Sequence, residues 1–399
     1  MVRVAPFPAV RPARDKAHLV ASRSYISYSK PQLRNKLHDN PFSFLHIIHP
    51  DLGSKTLHKS KDLQSRFQMV RSKYEQFINE EILVRENKPC FYIYRQIKNG
   101  HPFTGIVSLV SVDDYLNGKI KKHEFTLAKR EETFTNYLAA TKINAEPVLL
   151  ISEPSLPIES IYARYLDTRP EYDFTTTNKV RHQFWVIEEN NDIEKIQSAY
   201  AAMPALYIAD GHHRSASSAR LFQTHPELSK AAWCLAYILD EASVRIYEFN
   251  RLVKDLNGLQ AKEFLQKLSA DFYIHEAPEG YKPGQKGEFT LYLDKNFYSL
   301  QLKFHRDDID AQVLSDLVLS PILGIHDLRK DKRIAFAEGP KGHSYIQQQV
   351  DRGLFACGFM LYPVAMSELK KIADLGMSMP PKSTWVEPKL RSGLVIYEL

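Results

Sequence analysis

Only three cysteines, Cys90, Cys234 and Cys357, occur in 399 residues. The number is odd and the three are scattered, so neither a disulfide framework nor a metal-type spacing is expected. Such usage fits a reducing compartment, and each thiol is expected as a small buried apolar group. No apolar run reaches the roughly 18 residues of a membrane helix. The first residues hold prolines and arginines but no apolar segment of a secretory leader, so the expected location is cytoplasmic. No internal repeat, low-complexity tract or heptad array is visible. A helix-turn-helix pattern and a dense basic stripe are also missing, which argues against nucleic acid as a partner.

What is present is ordinary for a soluble globular chain: 44% apolar and 25% charged residues. The length suggests two or three subdomains. A formal net charge of +6 favours anionic ligands mildly.

Residues 1–60 are punctuated by Pro6, Pro8, Pro12, Pro31 and Pro41 and read as an arm with short strands. His46 and His49 straddle Ile47 and Ile48 there and read either as pocket-facing or as satisfied edge-strand residues, the latter expected. From Ser60 to Val84 the spacing of Leu63, Phe67, Val70, Tyr74 and Phe77 predicts a helix with one apolar stripe. Phe91–Ile97 and Thr104–Val110 predict a hairpin, turned by Asn99-Gly100. Residues 129–141 predict a helix, and Asp192–Ala202 another, capped by Asn191. Trp233–Leu239 and Val244–Tyr247 are expected to pair as strands, and residues 257–310 to form an insert or small subdomain. The division that follows is 1–153, an N-terminal α/β portion; 154–256, a core; and 257–399, a C-terminal α/β portion.

The stretch with most chemistry is Ala209-Asp210-Gly211-His212-His213-Arg214. An apolar run, Ala205–Ile208, precedes it, and small residues of a predicted helix, Ser215–Phe222, follow. A strand, a glycine turn and a helix start leave backbone amides and the positive helix end facing outward. Arg214 adds a planar fork suited to phosphate oxygens. His212 and His213 add donors, and Asp210 a carboxylate able to hold a divalent cation. Two readings stay open on these residues: an oligophosphate cradle, or a structural turn with Asp210 as a cap. Two further clusters stand out. His123-Glu124 lies among Lys121, Lys122 and Thr126, where Glu124 is either a base or cation ligand, or part of a solvated charge cluster. Met379-Pro380-Pro381-Lys382-Ser383-Thr384 is a rigid loop offering a cation and two hydroxyls, or else a plain surface loop.

The Asp210–Arg214 motif, followed by small residues, resembles the nucleotide-phosphate motif of the ParB/sulfiredoxin-like superfamily. Over nearly its full length the chain resembles the bacterial domain-of-unknown-function 1015 family. The matching stretches are Pro6–Pro12, Lys122–Thr126, Asp210–Arg214, Met379–Thr384 and Ser392–Ile396. Some members, and archaeal relatives sharing the motif, are kinases of free L-serine. The resemblance therefore implies an α+β fold: a mixed twisted sheet with packed helices around a ParB/sulfiredoxin-like nucleotide-binding core with large elaborations. It implies an ATP- or ADP-dependent kinase of a small hydroxy amino acid, with L-serine converted to O-phosphoserine and Mg2+ as cofactor. A ParB-like nucleotide-binding regulator without kinase activity is the alternative.

On that resemblance Glu124, Asp210 and His213 are the catalytic candidates, and Asp210 also the metal ligand. Gly211, His212, His213, Arg214 and Ser215 would bind the nucleotide; His123, Lys382, Ser383 and Thr384 would bind substrate. The base role of Glu124 follows its order along the chain. The residues after it, Phe125–Glu132, depart from the longer basic-acidic run of similar proteins, which bears on substrate choice. The expected partners are a nucleotide and a small-molecule substrate, with neither membrane nor nucleic acid, and with a homodimer left open.

Overall fold

The computed structural model describes residues 1–50 and 62–399. The chain divides into two compact units, Met1–Val244 with Pro388–Leu399, and Arg245–Glu387.

The first unit is built on a nine-stranded mixed sheet. Its strands are β1 (Val4–Ala5), β2 (Phe91–Lys98), β3 (His101–Ser111), β4 (Ile120–Lys121), β5 (Val148–Ser152), β6 (Tyr172–Thr175), β7 (Arg181–Ile187), β8 (Leu206–Asp210) and β9 (Trp233–Asp240). The order is β6-β7-β2-β3-β9-β5-β8-β4, with β1 added on β3. The β2–β3 hairpin turns where the sequence puts Asn99-Gly100. Both residues take positive φ, +52° and +79°, as a tight turn matched to strand twist demands. Strands β5, β8 and β9 read as continuous Val/Leu/Ile-rich runs because they lie at the sheet centre and are buried. Onto them pack α-helices at Leu156–Leu166, Asn190–Ala201 and His212–Thr224, through Ile158, Ile161, Ile196, Tyr200 and Ala219. Each of the isoleucines contributes about 1.5–3 kcal/mol when fully buried.

The predicted apolar stripe is observed on a helix from Leu63 to Asn79, which buries Phe67, Val70, Tyr74 and Phe77. The predicted start at Ser60 lies outside the described residues. The helix expected at 129–141 runs over Ala128–Thr141. The arm is less extended than expected: Ala17–Val20, Lys30–Asp39 and Leu45–Ile48 are helical. Pro31, taken as punctuation, instead sits in the first turn of the second of these, where its missing N–H costs nothing. Ser29 and Gln32 close a capping box around it. His46 is accordingly helical, its Nε2 3.0 Å from the Asn40 carbonyl, and not an edge-strand residue. The N-cap of the Asn190–Ala201 helix is Glu189, two residues before the Asn191 expected.

Residues 388–399 return to the first unit. Ile396 and Val10 exchange backbone hydrogen bonds of 2.8 and 2.9 Å. Arg391–Ser392 pairs with Ser22–Arg23, and Tyr397–Glu398 with Ile143–Asn144. Arg85 grips Glu398 with Nε and Nη2, each at 2.9 Å.

The second unit carries its own seven-stranded sheet: β10 (Arg245–Val253), β11 (Phe272–Ala277), β12 (Glu288–Leu293), β13 (Asn296–Leu302), β14 (Ile334–Glu338), β15 (Cys357–Met360) and β16 (Thr384–Glu387). The order is β11-β13-β12-β15-β10-β14, with β16 also on β10. β9 and β10 therefore do not pair, contrary to expectation: β9 joins β3 and β5, while β10 joins β14, β15 and β16. The expected divide after residue 153 falls inside the first unit, between β5 and the Leu156–Leu166 helix.

Candidate functional site

The site grows from the end of β8. Its register with β5 slips between Ile208 and Asp210, a bulge that re-aims the strand end. Gly211 follows at φ +106°, a left-handed conformation that favours glycine. A second demand acts on the same position. A Cβ there would lie 2.9 Å from Nε and Nη2 of Arg214. The helix begins at once, with His212. Thus His212, His213 and Arg214 are its first turn, three residues before the expected helix start at Ser215. The first intrahelical bond runs from Ser215 N–H to the Gly211 carbonyl, 3.0 Å. The amides of the three preceding residues stand at the positive helix end. Ser215 itself has spent its amide and is buried.

Arg214 folds back over this turn. Its Nη1 donates to the Pro147 carbonyl at 2.5 Å, and Nη2 lies 3.8 Å from Asp210 Oδ1. The Arg214 side chain as a whole stays one-quarter exposed. Asp210 Oδ2 also meets Lys389 Nζ at 3.3 Å. Crowding around the Asp210 carboxyl would raise its pKa, but Lys389 and Arg214 hold it at about 2. It is a carboxylate at neutral pH, flanked by two cations.

His212 is buried, and the backbone N–H of His123 donates to its Nε2 at 3.3 Å. That bond makes Nε2 an acceptor and assigns the proton to Nδ1, which faces Glu124 Oε2 at 3.8 Å. Burial, then the neighbouring His123, pushes the His212 pKa well below the usual histidine range. The ring of His123 meets that of His212 edge-on, centroids 4.5 Å apart. Burial takes His123 down to about 4. Glu124 remains half-exposed beside this neutral pair. His213 sits one residue on, its carbonyl accepting from Ser217 Oγ at 2.6 Å. Behind it, the helix presents small residues to Ala128–Thr141, and Thr135 Oγ1 donates to the Ser217 carbonyl at 3.2 Å.

The structure thus gathers His123, Glu124, Asp210, Gly211, His212, His213 and Arg214 within the first unit. Lys382, Ser383 and Thr384 belong to the second. There Lys382 Nζ lies 5.1 Å from the centre of the Phe249 ring, Ser383 Oγ donates to Pro380 O at 2.7 Å, and Thr384 opens β16. Lys389 was not foreseen. Its only signal in the chain was a basic residue just before the strand at Arg391–Ser392. Among the described residues no group of three or more His, Cys, Asp or Glu could hold a metal ion.

The two neutral histidines make stability depend on pH. In the unfolded chain both titrate near 6.5. Between about 6.5 and 4 the unfolded state binds more protons, so His123 weakens the fold as pH falls through that window. The expected result is a smaller drop in urea midpoint between pH 7 and pH 5 for His123→Gln than for the unmodified protein. Equal drops would remove His123 from that account.

A family model described as a protein of unknown function, DUF1015, matches residues 4–320. The chain belongs to the DUF1015 family. No curated protein matches it. Among solved structures, this DUF1015 protein is similar to a free serine kinase in complex with AMP, at 16% identity and TM-score 0.38, over 72% of this chain and 91% of the other. It is also similar to a conserved hypothetical protein from Pyrococcus furiosus, at 16% identity and TM-score 0.38, over 76% and 97%. A third likeness is to SbnI with a C-terminal truncation, from Staphylococcus aureus, at 13% identity and TM-score 0.39, over 72% and 85%. No helix among the described residues of the DUF1015 protein is long and apolar enough to cross a membrane.

Proposed function

We propose that this protein is a nucleotide-dependent kinase of a small hydroxy amino acid, with L-serine as the acceptor. The observation that carries the reading is the Gly211 turn. It sets three helix-start amides, Arg214 and Asp210 beside a carboxylate, Glu124, whose histidine neighbour has a fixed tautomer. The choice of serine rests on the resemblance of the Asp210–Arg214 motif.

Phosphoryl transfer asks mainly for positioning and charge neutralisation. The amides of His212, His213 and Arg214, with the Arg214 guanidinium, bind the donor phosphates. Lys389 adds a second cation next to Asp210. Magnesium is commonly held by one or two carboxylates plus substrate phosphates, and Asp210 fits as that single protein ligand. When bound, the ion neutralises phosphate charge. Glu124 accepts the proton of the acceptor hydroxyl as the new O–P bond forms and the bond to the leaving nucleotide breaks. His212 stands beside Glu124, its Nδ1 3.8 Å from the carboxylate. Ser215, with its amide committed, acts through packing.

The test is incubation of the full chain with L-serine, Mg2+ and either ATP or ADP, with mass spectrometry for O-phosphoserine. Product is expected with one of the two donors. Absence of product across small hydroxy amino acids and both donors, with nucleotide binding retained in calorimetry, overturns the kinase reading in favour of a nucleotide-binding regulator.

A further inference from the structure

Arg251 is the largest fully buried side chain among the described residues, at 0% exposure. It lies mid-strand in β10, on the face shared by Phe249 and Val253. Across the ladder stand Phe336 of β14 and Phe359 of β15, its register partners. The guanidinium carbon sits 4.8 Å from the centre of the Phe336 ring. Nη1 is fully used: it donates to the Phe249 carbonyl at 2.6 Å and to the Lys382 carbonyl at 2.9 Å. Nε and Nη2 are buried as well, and neither finds an acceptor among the described residues. A buried charge without a partner is costly, so such an edge calls for an anion.

The free edge has a defined shape. Nε–H and one Nη2–H point the same way and match two oxygens of one planar group. The same protein uses that edge elsewhere, as Arg333 does on Asp331 at 3.2 and 2.8 Å. Arg85 holds Glu398 by Nε and Nη2 at 2.9 and 2.9 Å, and Arg181 holds Asp173 at 2.8 and 2.6 Å. On Arg251 no side chain plays that part. Glu338 shares its face of the sheet, opposite Phe249, but is paired with Lys341.

We propose that the Nε–Nη2 edge of Arg251 is a binding site for a small-molecule monocarboxylate, seated in the second unit among Phe249, Phe336 and the Lys382 turn. Charge selects the class. The guanidinium carries a single positive charge, which one carboxylate balances. A phosphate group, with about −1.5 to −2 at neutral pH, would leave charge uncompensated. The aromatic walls favour a carboxylate on an apolar or aromatic body. Burial brings the Arg251 pKa down to about 9, which still leaves the guanidinium charged at neutral pH. The Lys382 turn borders the site: Lys382 is exposed, takes φ +58°, and its carbonyl accepts a hydrogen bond from Nη1. None of this depends on kinase activity.

The full chain, with 15N-labelled arginine, is titrated with sodium acetate and sodium benzoate, with benzamide and inorganic phosphate as separate arms. The Arg251 Nε–H resonance, assigned by its loss in Arg251→Met, is followed. Expected is a saturable shift with the carboxylates, larger for benzoate, and none with benzamide. Benzoate also raises the melting temperature of the unmodified protein and not that of Arg251→Met, an apolar replacement that removes the buried charge. No shift with either carboxylate, or an equal shift with benzamide, overturns the site. A stronger response to phosphate than to benzoate overturns the ligand class.

Discussion

Glu124→Gln leaves nucleotide binding nearly intact and cuts turnover by roughly 10²–10⁴, the range a positioned general base supplies. The substitution keeps size and hydrogen-bonding reach and removes only the proton acceptor. Glu124 is half-exposed, and His212 reaches it from the side away from solvent, so the fold loses little. Turnover in the phosphoserine assay and nucleotide affinity by calorimetry are read on the same preparation. Normal turnover takes Glu124 out of the mechanism. Lost nucleotide affinity gives it a binding role instead.

Arg214→Ala weakens nucleotide binding by about 10–100-fold, the scale of a hydrogen bond to a charged group. Gly211→Ala reaches a similar loss by another path. Its new methyl group meets the guanidinium at 2.9 Å and must also accept φ +106°. Local strain of this kind costs about 1–3 kcal/mol. Because both changes act on one group, the double variant binds nucleotide about as poorly as the worse single one. Additive losses in that cycle would mean that glycine and arginine act independently.

Much of the first unit was legible because its signals are local. Asn99-Gly100 names its own turn, and the Phe67–Phe77 spacing names its own helix. The strand-glycine-helix order at Gly211 was readable for the same reason. Two features were not. Lys389 reaches Asp210 only because residues 388–399 fold back across the unit, which no local pattern encodes. Arg251 hid the length of β10. The expected strand covers only Val244–Tyr247, and the polar Glu248, Asn250 and Arg251 follow it. In the fold Asn250 and Arg251 are buried, and the Asn250 side chain accepts from the Leu361 N–H at 3.2 Å. Polar residues turned inward erase the alternation by which a half-buried strand is recognised. The Met379–Thr384 loop was read as rigid, but not that its Lys382 carbonyl would bind an arginine side chain.

The return of residues 388–399 has a consequence for biosynthesis. Arg245 and Glu387 are register partners, so the polypeptide leaves the first unit and comes back to it through neighbouring residues. During translation Val10, Ser22–Arg23 and Ile143–Asn144 emerge early, yet their strand partners are made only after the whole second unit. Once the second unit has folded, the long loop that separates those partners is already drawn shut, and the entropy of closing it has been met. The nascent first unit therefore waits, with open strand edges, for the second to finish, and that interval is when it is most exposed to aggregation.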